Sequence, residues 1–328
     1  MSLTAQRTRY VLRRLMQAVP VVLAIVVINF LLLQLAEGDA ADVLAGEAGS
    51  ATPEYMAALR TKFGLDQPIF LQLLAYVRNV ALLDLGHSFR HDTAVATLIA
   101  GRLGPTLLLM LSAMAIAILV GTLLGVLAAT GLNTWRDNLI AVLALLAYAT
   151  PLFWIGLMMI VVFSIHAGWF PVSGMENVAA FHTGWTRVAD IARHLVLPAI
   201  TLSLFYLALY ARLMRASMLE QSGMDYVTTA RAKGLTETRI TSRHVVRNAL
   251  LPVVTMAGVQ IGNLVGGSVV VESVFGWPGL GLLAFDSLFA RDLNLLMGIF
   301  LLSACLVVAV NLVIDIVYAL LDPRIEVR

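Results

Sequence analysis

Charge and cysteine are scarce in this sequence of 328 residues. Asp, Glu, Lys and Arg make up only 13% of it, whereas a soluble domain averages about 25%. The formal net charge of +2 argues against nucleic-acid binding, which requires a strongly basic surface. The single cysteine, Cys305, lies in an apolar run, so there is neither a disulfide framework nor a cysteine-based metal site.

The sequence motifs of several enzyme classes are also missing. There is no Gly-Lys dipeptide and hence no GxxxxGK[ST] phosphate-binding loop, which argues against ATP hydrolysis by this chain. HExxH and GxSxG are absent as well. Only His87 and His91 have the i,i+4 spacing of a helical metal site, and the residues around them are typical of a loop. The sequence therefore predicts no catalytic residue, no cofactor and no metal site.

Apolar residues, in contrast, are abundant. They make up 60% of the chain, and the mean hydropathy is +0.88. A water-soluble fold could not bury this much apolar surface, so lipid must be the solvent for much of it. Six stretches are long and apolar enough to cross a membrane, and they lie at residues 15–36, 105–129, 139–165, 195–213, 252–271 and 295–321. The predicted fold class is an all-α membrane protein with six transmembrane helices.

The distribution of basic residues predicts the orientation of these spans. Fourteen of the 22 Lys and Arg residues lie on the side of the N terminus, and five of the other eight lie in the long segment 37–104. The positive-inside rule therefore places both termini in the cytoplasm. A cleaved signal peptide is the alternative for the first span, but its apolar core would be 7–15 residues long, shorter than the run found here.

The segment 37–104 is the only predicted extramembrane stretch with the size of a small domain. Thr52 and Pro53 form a helix start, with Thr52 as the N-cap, and Gly64 would end that helix. A second amphipathic stretch covers residues 69–82. We expect short helices packed on the outer mouth of the membrane bundle. The alternative is a surface loop that only connects two spans.

Residues 275–281, with the sequence FGWPGLG, follow the fifth span. Three glycines and one proline in seven residues cannot continue a helix, yet residues 282–288 are apolar again. Irregular backbone beside a membrane is tolerated where it is buried in protein or lines a cavity. The pattern favours a re-entrant hairpin near the mouth of a pore, and an ordinary outer loop is the alternative.

The loop 214–251 is predicted to lie in the cytoplasm between the fourth and fifth spans. Ser222 and Asp225 have the spacing of a capping box, which predicts a short helix. Gly234 would end that helix as a C′ residue, and Thr236 would cap a basic helix that leads back to the membrane. A short exposed helix suits docking into a groove of another protein. The alternative is a basic loop held near anionic lipid.

At this loop the sequence resembles a known family. TARAKGL at residues 229–235, followed by RNALLP at 247–252, resembles the EAA loop of bacterial ABC-importer permeases, most closely the dipeptide/oligopeptide/nickel branch. The Glu and first Ala of that loop's name are Thr228 and Thr229 here. Six further blocks match in order, at residues 10–15, 64–68, 84–89, 151–154, 275–281 and 322–325. The resemblance covers nearly the whole chain.

The resemblance implies a permease subunit in the bacterial inner membrane that imports peptides or similar small solutes. It implies a second homologous permease chain, two ABC ATPase subunits and an extracytoplasmic solute-binding protein as partners, besides membrane lipid. Coupling to the ATPases is expected at residues of the loop, namely Asp225, Tyr226, Ala230, Arg231, Lys233, Gly234 and Leu235. A nickel or metal-chelate importer is the alternative within the family, and an ion-gradient-driven secondary transporter is the alternative outside it.

Two further sets of residues are candidates on position. Those predicted to lie outside and to face the solute-binding protein are Asp66, Asp84, Trp277, Pro278 and Gly279. Polar or ionisable residues predicted within the spans are candidates for the pathway or a gate, namely Gln260, Asn263, Glu272 and Asp315. For Asp315 we favour a structural ion pair with Arg212 or Arg215, because intramembrane charges are generally paired.

The predicted organisation has four parts. Residues 1–36 form the N-terminal tail and first span, 37–104 the extracytoplasmic segment, 105–321 the permease core with the loop 214–251, and 322–328 the C-terminal tail. Small residues at i,i+4 spacing predict close helix packing, and they are Gly121, Gly125, Gly258, Gly262 and Gly266. Pro151 is expected to break the third span.

Overall fold

The structure is a computed structural model that describes residues 3–35, 52–62, 66–82, 84–88, 90–290 and 292–321. Almost all of these residues are helical. The chain divides into two compact units, the first made of Met1–Arg102 with Leu283–Arg328 and the second of Leu103–Leu282. The helices Val95–Thr130 and Leu280–Phe289 each have residues in both units.

The first unit contains long helices at its two chain ends and short elements between them. Its elements are α1 (Leu3–Leu35), α2 (Pro53–Lys62), α3 (Ile69–Ala81), β1 (His87–Ser88), β2 (Thr93–Ala94), the start of α4, most of α11, and α12 (Leu293–Leu321). Helix α1 packs along α12. Buried Asn29 of α1 donates hydrogen bonds to the Tyr76 hydroxyl (2.9 Å) and to the Met297 carbonyl (3.0 Å). This amide therefore fixes α1 to both α3 and α12.

The short helices of this unit begin where the sequence predicts. The Thr52 hydroxyl accepts a hydrogen bond from the Tyr55 backbone N–H at 3.4 Å, in the manner of an N-cap, and α2 begins at Pro53. The expected end of this helix at Gly64 lies outside the described residues. The second stretch forms α3 within the predicted range. His87 and His91 lie at an antiparallel hairpin rather than on one helix.

A buried side-chain contact joins that hairpin to α12. The Ser88 hydroxyl donates to Asp292 Oδ2 at 2.5 Å, and Asp292 Oδ1 accepts the Leu295 backbone N–H at 3.1 Å. Asp292 is thus the N-cap of α12 and is only 7% exposed. Its carboxylate has a structural role in ending the connection between α11 and α12.

The second unit is built around α7. Its elements are most of α4 (Val95–Thr130), α5 (Trp135–Ala149), α6 (Leu152–Met159) with a π-helical continuation at Ile160–His166, α7 (Gly184–Ser222), α8 (Asp225–Ala232), α9 (Glu237–Ile240) with a π-helical turn at Thr241–Val245, α10 (Val246–Phe275), and the start of α11 (Leu280–Phe289). Helix α7 packs against α5, α6 and α10. One apolar core runs through these helices.

Small residues bring α4 and α7 into close contact, as their spacing predicts. A Cβ added at Gly121 would lie 2.8 Å from the Tyr210 Cβ, and one at Gly125 would lie 2.6 Å from the Met214 Cβ. The other predicted stripe falls on α10. The surroundings of its members Gly262 and Gly266 lie outside the described residues, so its role stays a prediction.

Four described helical segments are long and apolar enough to cross a membrane, namely Arg13–Leu32, Val95–Thr130, Gly184–Ser222 and Leu293–Leu312. Two bent helix pairs bring the number to six if each pair forms one span. The first pair bends by 105° at Pro151, which confirms the predicted break in the third span. The second joins Ser268–Phe275 to Leu280–Phe289 with a bend of 79°. The glycine-rich segment therefore separates two helices.

Candidate functional sites: the α8 loop and the Glu272 pocket

Helix α8 lies in the loop between α7 and α10. It begins at Asp225, two residues later than a helix capped by Ser222 would begin, so the predicted capping box is wrong. Ser222 is the last residue of α7, and its hydroxyl donates to the Met218 carbonyl at 2.7 Å, so it does not cap α8. Helix α7 covers Gly184–Ser222, whereas the apolar pattern predicts a span only at 195–213. The additional residues at both ends are largely polar, so the apolar pattern does not include them.

The two faces of α8 have opposite exposure. Val227 and Ala230 are buried in the core of the second unit, with 0% and 6% exposure. Tyr226 and Leu235 pack at the edge of this core, and the Tyr226 hydroxyl donates to Gln221 Oε1 at 2.9 Å. The remaining predicted coupling residues are exposed, and they are Asp225, Arg231, Lys233 and Gly234. The helix is thus anchored in the core along one side, and its other side is exposed.

The end of α8 is a Schellman motif. The Gly234 N–H donates to the Arg231 carbonyl (2.9 Å) and the Leu235 N–H to the Ala230 carbonyl (3.3 Å). Gly234 has a φ of +78°, in the left-handed region that favours glycine, so the structure confirms it as the C′ residue. The chain turns here by a backbone conformation that other residues adopt only with strain.

An exposed ion pair closes the turn after α8. Arg231 donates from Nε to Glu237 Oε1 (2.6 Å) and from Nη2 to Glu237 Oε2 (3.2 Å). The hydrogen bonds from Arg231 lower the pKa of the Glu237 carboxyl and raise that of the Arg231 guanidinium. Thr236 lies at the N-cap position of α9, and from there the chain runs through the π-helical turn directly into α10.

A buried carboxylate marks the second site. Glu272, near the end of α10, has no exposed surface. Its Oε1 accepts a hydrogen bond from the Thr106 hydroxyl of α4 (2.9 Å), and its Oε2 accepts the Leu282 backbone N–H of α11 (2.9 Å). A Cβ added at Gly279 would overlap the carboxyl carbon and both oxygens of Glu272. We call these groups, Glu272, Thr106, Gly279 and the Leu282 N–H, the Glu272 pocket.

Trp277 lies inside the protein, next to this pocket. The sequence places Trp277, Pro278 and Gly279 on the outer face, but the indole is fully buried and donates from Nε1 to the Pro105 carbonyl at 2.9 Å. Gly279 is buried as well, and Pro278 is half-buried. In this structure Trp277 is therefore part of the packing of the α10–α11 break, because an indole buries a large apolar area when its N–H has a partner.

The other candidates from the sequence are placed as follows. Asp66 and Asp84 are exposed in the first unit, and Asp84 Oδ1 accepts the Gly86 backbone N–H at 3.1 Å. Gln260 is half-buried on α10. The side chains of Asn263 and Asp315 lie outside the described residues. Their proposed roles in a pathway or gate stay predictions.

Arg215 is paired with a carboxylate that sequence reasoning missed. It donates from Nε to Asp137 Oδ1 (2.7 Å) and from Nη2 to Asp137 Oδ2 (2.8 Å). Arg212 lies over the Tyr148 ring, 4.8 Å from its centre. Asp315 was the expected partner of one of these arginines. Asp137 could have been predicted as a partner from its position just before the third span, on the same predicted side of the membrane as the basic end of α7.

A cavity of about 390 Å³ lies beside the break at Pro151. Aromatic side chains of α5 and α7 form much of its wall, including Tyr148, Phe205 and Tyr206. Tyr148 and Phe205 are stacked with their ring centres 5.2 Å apart. This arrangement follows from the proline, which directs α6 away from α5 and opens the space between them.

Two family descriptions cover most of the chain. "Binding-protein-dependent transport system inner membrane component" matches residues 121–327, and the N-terminal membrane component of the same transport systems matches residues 7–110. The α8 loop and Glu272 lie in the first region, and Thr106 lies in the second. Five of the six predicted apolar spans lie entirely within the matched regions. The second span, at residues 105–129, is matched in part, because residues 111–120 lie between the two matches.

Curated relatives match over nearly their whole length. A putative peptide permease protein of Brucella ovis is 43% identical over 320 residues, which are 97% of this chain and 99% of the relative. The oligopeptide transport system permease protein AppB of Bacillus subtilis is 40% identical, and the glutathione transport system permease protein GsiC of Escherichia coli is 38% identical, each with the same two coverages.

A solved structure shares the fold. An inward-facing conformation of the MetNI methionine ABC transporter aligns with a TM-score of 0.54 and 18% sequence identity, covering 66% of this chain and 93% of that one. Together with the apolar helices, the family matches indicate a multi-pass inner-membrane protein. The chain therefore belongs to the binding-protein-dependent transport system inner membrane components, as an ABC-importer permease of the peptide branch.

Proposed function

We propose that this chain forms one half of the translocation pathway of an ATP-driven importer of peptides. The observation that supports this most directly is the build of α8. Val227 and Ala230 anchor the helix in the core, while Asp225, Arg231 and Lys233 lie on the exposed side. A force applied to the exposed side is therefore passed to the helices beneath it, because protein cores are close-packed and transmit strain.

The proposed source of that force is a pair of separate ATPase subunits. This chain lacks a phosphate-binding loop, so hydrolysis has to take place elsewhere. One α8 loop can contact one ATPase, and a dimer of ATPases needs two such loops. A second, homologous permease chain would supply the other loop and the other half of the pathway.

The proposed orientation puts α8 and both chain termini in the cytoplasm, as the basic residues indicate. A solute-binding protein would then approach from the other side, where the segment 37–104 is expected. Asp66 and Asp84 are exposed and available there for such a contact. Trp277 is not available for such a contact, because its side chain is buried.

The proposed solute class is peptides or solutes of similar size. The relatives named above are an oligopeptide permease, a glutathione permease and a putative peptide permease. None of these three supports the nickel-chelate or secondary-transporter alternative. Uptake of radiolabelled di-, tri- and pentapeptides into proteoliposomes, driven by ATP and dependent on the binding protein, would test the assignment. ATP-independent uptake that follows an ion gradient would contradict it.

Cysteine crosslinking tests the docking proposal. Cys305 is the only native cysteine, so Cys305→Ala leaves a background without thiols. Thr228→Cys places a thiol on the exposed side of α8, and Val178→Cys serves as the control because Val178 is 76% exposed in the connection between α6 and α7. We expect the genes adjacent to this one to encode the partners, and co-expression to supply the complex.

The expected result is a crosslink from position 228 to an ATPase subunit and none from position 178. A membrane-impermeant thiol reagent should label position 178 in intact cells, and position 228 only after the membrane is opened. Crosslinking of position 178 to the ATPase would overturn the orientation. Absence of any ATPase crosslink from the α8 face in an assembled, active complex would overturn the docking role.

A further inference from the structure

The glycine-rich break between α10 and α11 has the composition of a hinge, but the Glu272 carboxylate of α10 bonds across it to α11. Glu272 is fully buried in a chain that spans a membrane, where a carboxylate is costly and is kept for a structural or functional reason. Among the described residues, the groups that bond to it are a hydroxyl and a backbone N–H, and no cation is paired with it. The carboxylate is therefore held by α4 and by the first turn of α11.

The hydrogen bonds of the pocket connect three helices. Glu272 of α10 accepts from Thr106 of α4 and from the Leu282 N–H in the first turn of α11. The Thr106 hydroxyl in turn accepts a hydrogen bond from the Leu280 N–H at 2.7 Å, so one hydroxyl accepts a hydrogen bond from α11 and donates one to Glu272. The position of the carboxylate at the N-terminus of α11 is also electrostatically favourable. Opening the break would leave a buried carboxylate and two backbone N–H groups without partners.

The glycines of the break fit around this carboxylate. Gly276 has a φ of +57° and ends α10 in the left-handed conformation. At Gly279, any side chain would occupy the space of the Glu272 carboxyl group. At Gly281, a Cβ would lie 2.9 Å from Glu272 Oε2 and, closer still, 2.6 Å from the Val269 Cα, which is backbone and stays in place when Glu272 is removed. Glycine at these positions permits close packing, and the pattern does not require flexibility.

We infer that Glu272 is a positioning residue that makes the α10–α11 break a rigid joint during transport. This inference rests on the proposed function, in which α10 moves when the ATPases act on α8. The first turn of α11 and the attached Trp277 then follow the end of α10 as one body. Glu272 acts through its hydrogen bonds and does not itself contact the solute.

Epistasis between Glu272 and Gly279 tests the geometry. In the wild-type background, both Gly279→Ala and Gly281→Ala should reduce transport and lower the thermal midpoint of the complex. In the Glu272→Ala background, Gly279→Ala should cause no further loss, because the overlapping group has been removed. Gly281→Ala should still cause a further loss, since its nearest neighbour is backbone. Equal, additive effects of Gly279→Ala in both backgrounds would overturn the inference.

Spin labels test the rigidity. Labels at exposed Val270 and at half-buried Leu282, whose backbone N–H remains in any variant, report the distance between the end of α10 and the first turn of α11 in the reconstituted complex. We expect the same narrow distance distribution without nucleotide and with trapped ATP, and a broader one in Glu272→Ala and in Thr106→Val. Glu272→Gln should broaden it less, because the amide oxygen can still accept one hydrogen bond.

A change of several ångströms between the two nucleotide states of the wild type would show a hinge and overturn the inference. The crosslink from position 228 to the ATPase is measured in the same preparations. If that crosslink is retained while the α10–α11 distance changes, only the rigid joint is refuted. If the crosslink is lost in the wild type, the proposed function is at fault.

Discussion

Arg215 of α7 and Asp137 of α5 form a bidentate ion pair, with both N–O distances below 3 Å. The Asp137 side chain is 4% exposed, and its Oδ2 also accepts the Asn133 backbone N–H at 3.1 Å. Arg215 lies two turns before the end of α7, so the pair connects α5 to the part of α7 that leads to α8. The pair thus ties a second helix to the movement of the proposed docking loop.

Loss of this pair should destabilise the chain and weaken coupling. Asp137→Asn removes the negative charge and leaves Arg215 without a bidentate partner, and Arg215→Lys removes the planar donor geometry. We expect a lower thermal midpoint for both variants and a lower ratio of transported solute to hydrolysed ATP. Glu176→Gln is the matched control, because Glu176 forms a similar pair with Arg187 whose two side chains are more exposed than those of Arg215 and Asp137. Equal effects of Glu176→Gln and Asp137→Asn would contradict the prediction.

Gly234 should be sensitive to a single methyl group. Its φ of +78° is unfavourable for alanine by about 1–2 kcal/mol, so Gly234→Ala should loosen the end of α8. The expected readout is a loss of solute-stimulated ATP hydrolysis in the assembled complex while membrane insertion is retained. Gly223→Ala in the same loop is the control, since Gly223 has an ordinary φ of −85° and room for a Cβ. A comparable loss in both variants would argue against the backbone explanation.

The Arg231–Glu237 pair predicts a pH dependence of local order. The pKa of Glu237 lies below its ordinary value of 4.5, because Arg231 donates hydrogen bonds to the charged carboxylate. Its contribution is therefore complete above pH 4.5 and is lost as the pH falls through the lowered value in the folded state. A spin label at exposed Ala232 should become more mobile below this range. In Glu237→Gln the label should be mobile already at neutral pH, with a smaller further change on acidification.

Close packing of α4 on α7 should be intolerant of added volume. A Cβ at Gly125 would meet the Met214 Cβ at 2.6 Å and the Ala211 carbonyl oxygen at 2.7 Å. Overpacking of this kind costs about 1–3 kcal/mol, so Gly125→Ala should lower the thermal midpoint. Gly104→Ala on the same helix is the control, since nothing lies within 4 Å of its Cβ position. A neutral Gly125→Ala would show that the two helices separate easily.

Local signals in the sequence predict much of the fold. The apolar runs locate the long helices, Thr52 and Pro53 locate the start of α2, and Pro151 locates the break between α5 and α6. The sequence correctly predicts Gly234 as the C′ residue of α8, because this role depends only on the local backbone conformation. The full length of α7 is not predicted, since the helix continues through polar residues beyond the apolar stretch 195–213. Ser222 consequently appears as a cap when it is the last residue of a helix.

The contacts that define the sites depend on residues far apart in the chain. Thr106 and Glu272 are separated by 166 positions, and Asp137 and Arg215 by 78. Hydrophobic periodicity carries no information on such pairs. The composition of residues 275–281 correctly indicates a break in the helix, but it does not reveal that Trp277 turns inward. Buried Trp277 packs in the apolar core and donates to the Pro105 carbonyl, on a helix that sequence spacing does not relate to it.

Helix α10 acts geometrically as a lever with the two sites at its ends. Its 30 residues, at 1.5 Å per residue, span about 45 Å. The α8 loop joins it at one end through the π-helical turn, and Glu272 lies one turn from the other. A tilt of about 5° at the loop would therefore displace the far end by about 4 Å. A small rotation at the α8 end therefore reaches the Trp277 segment without any change in the local structure of either site.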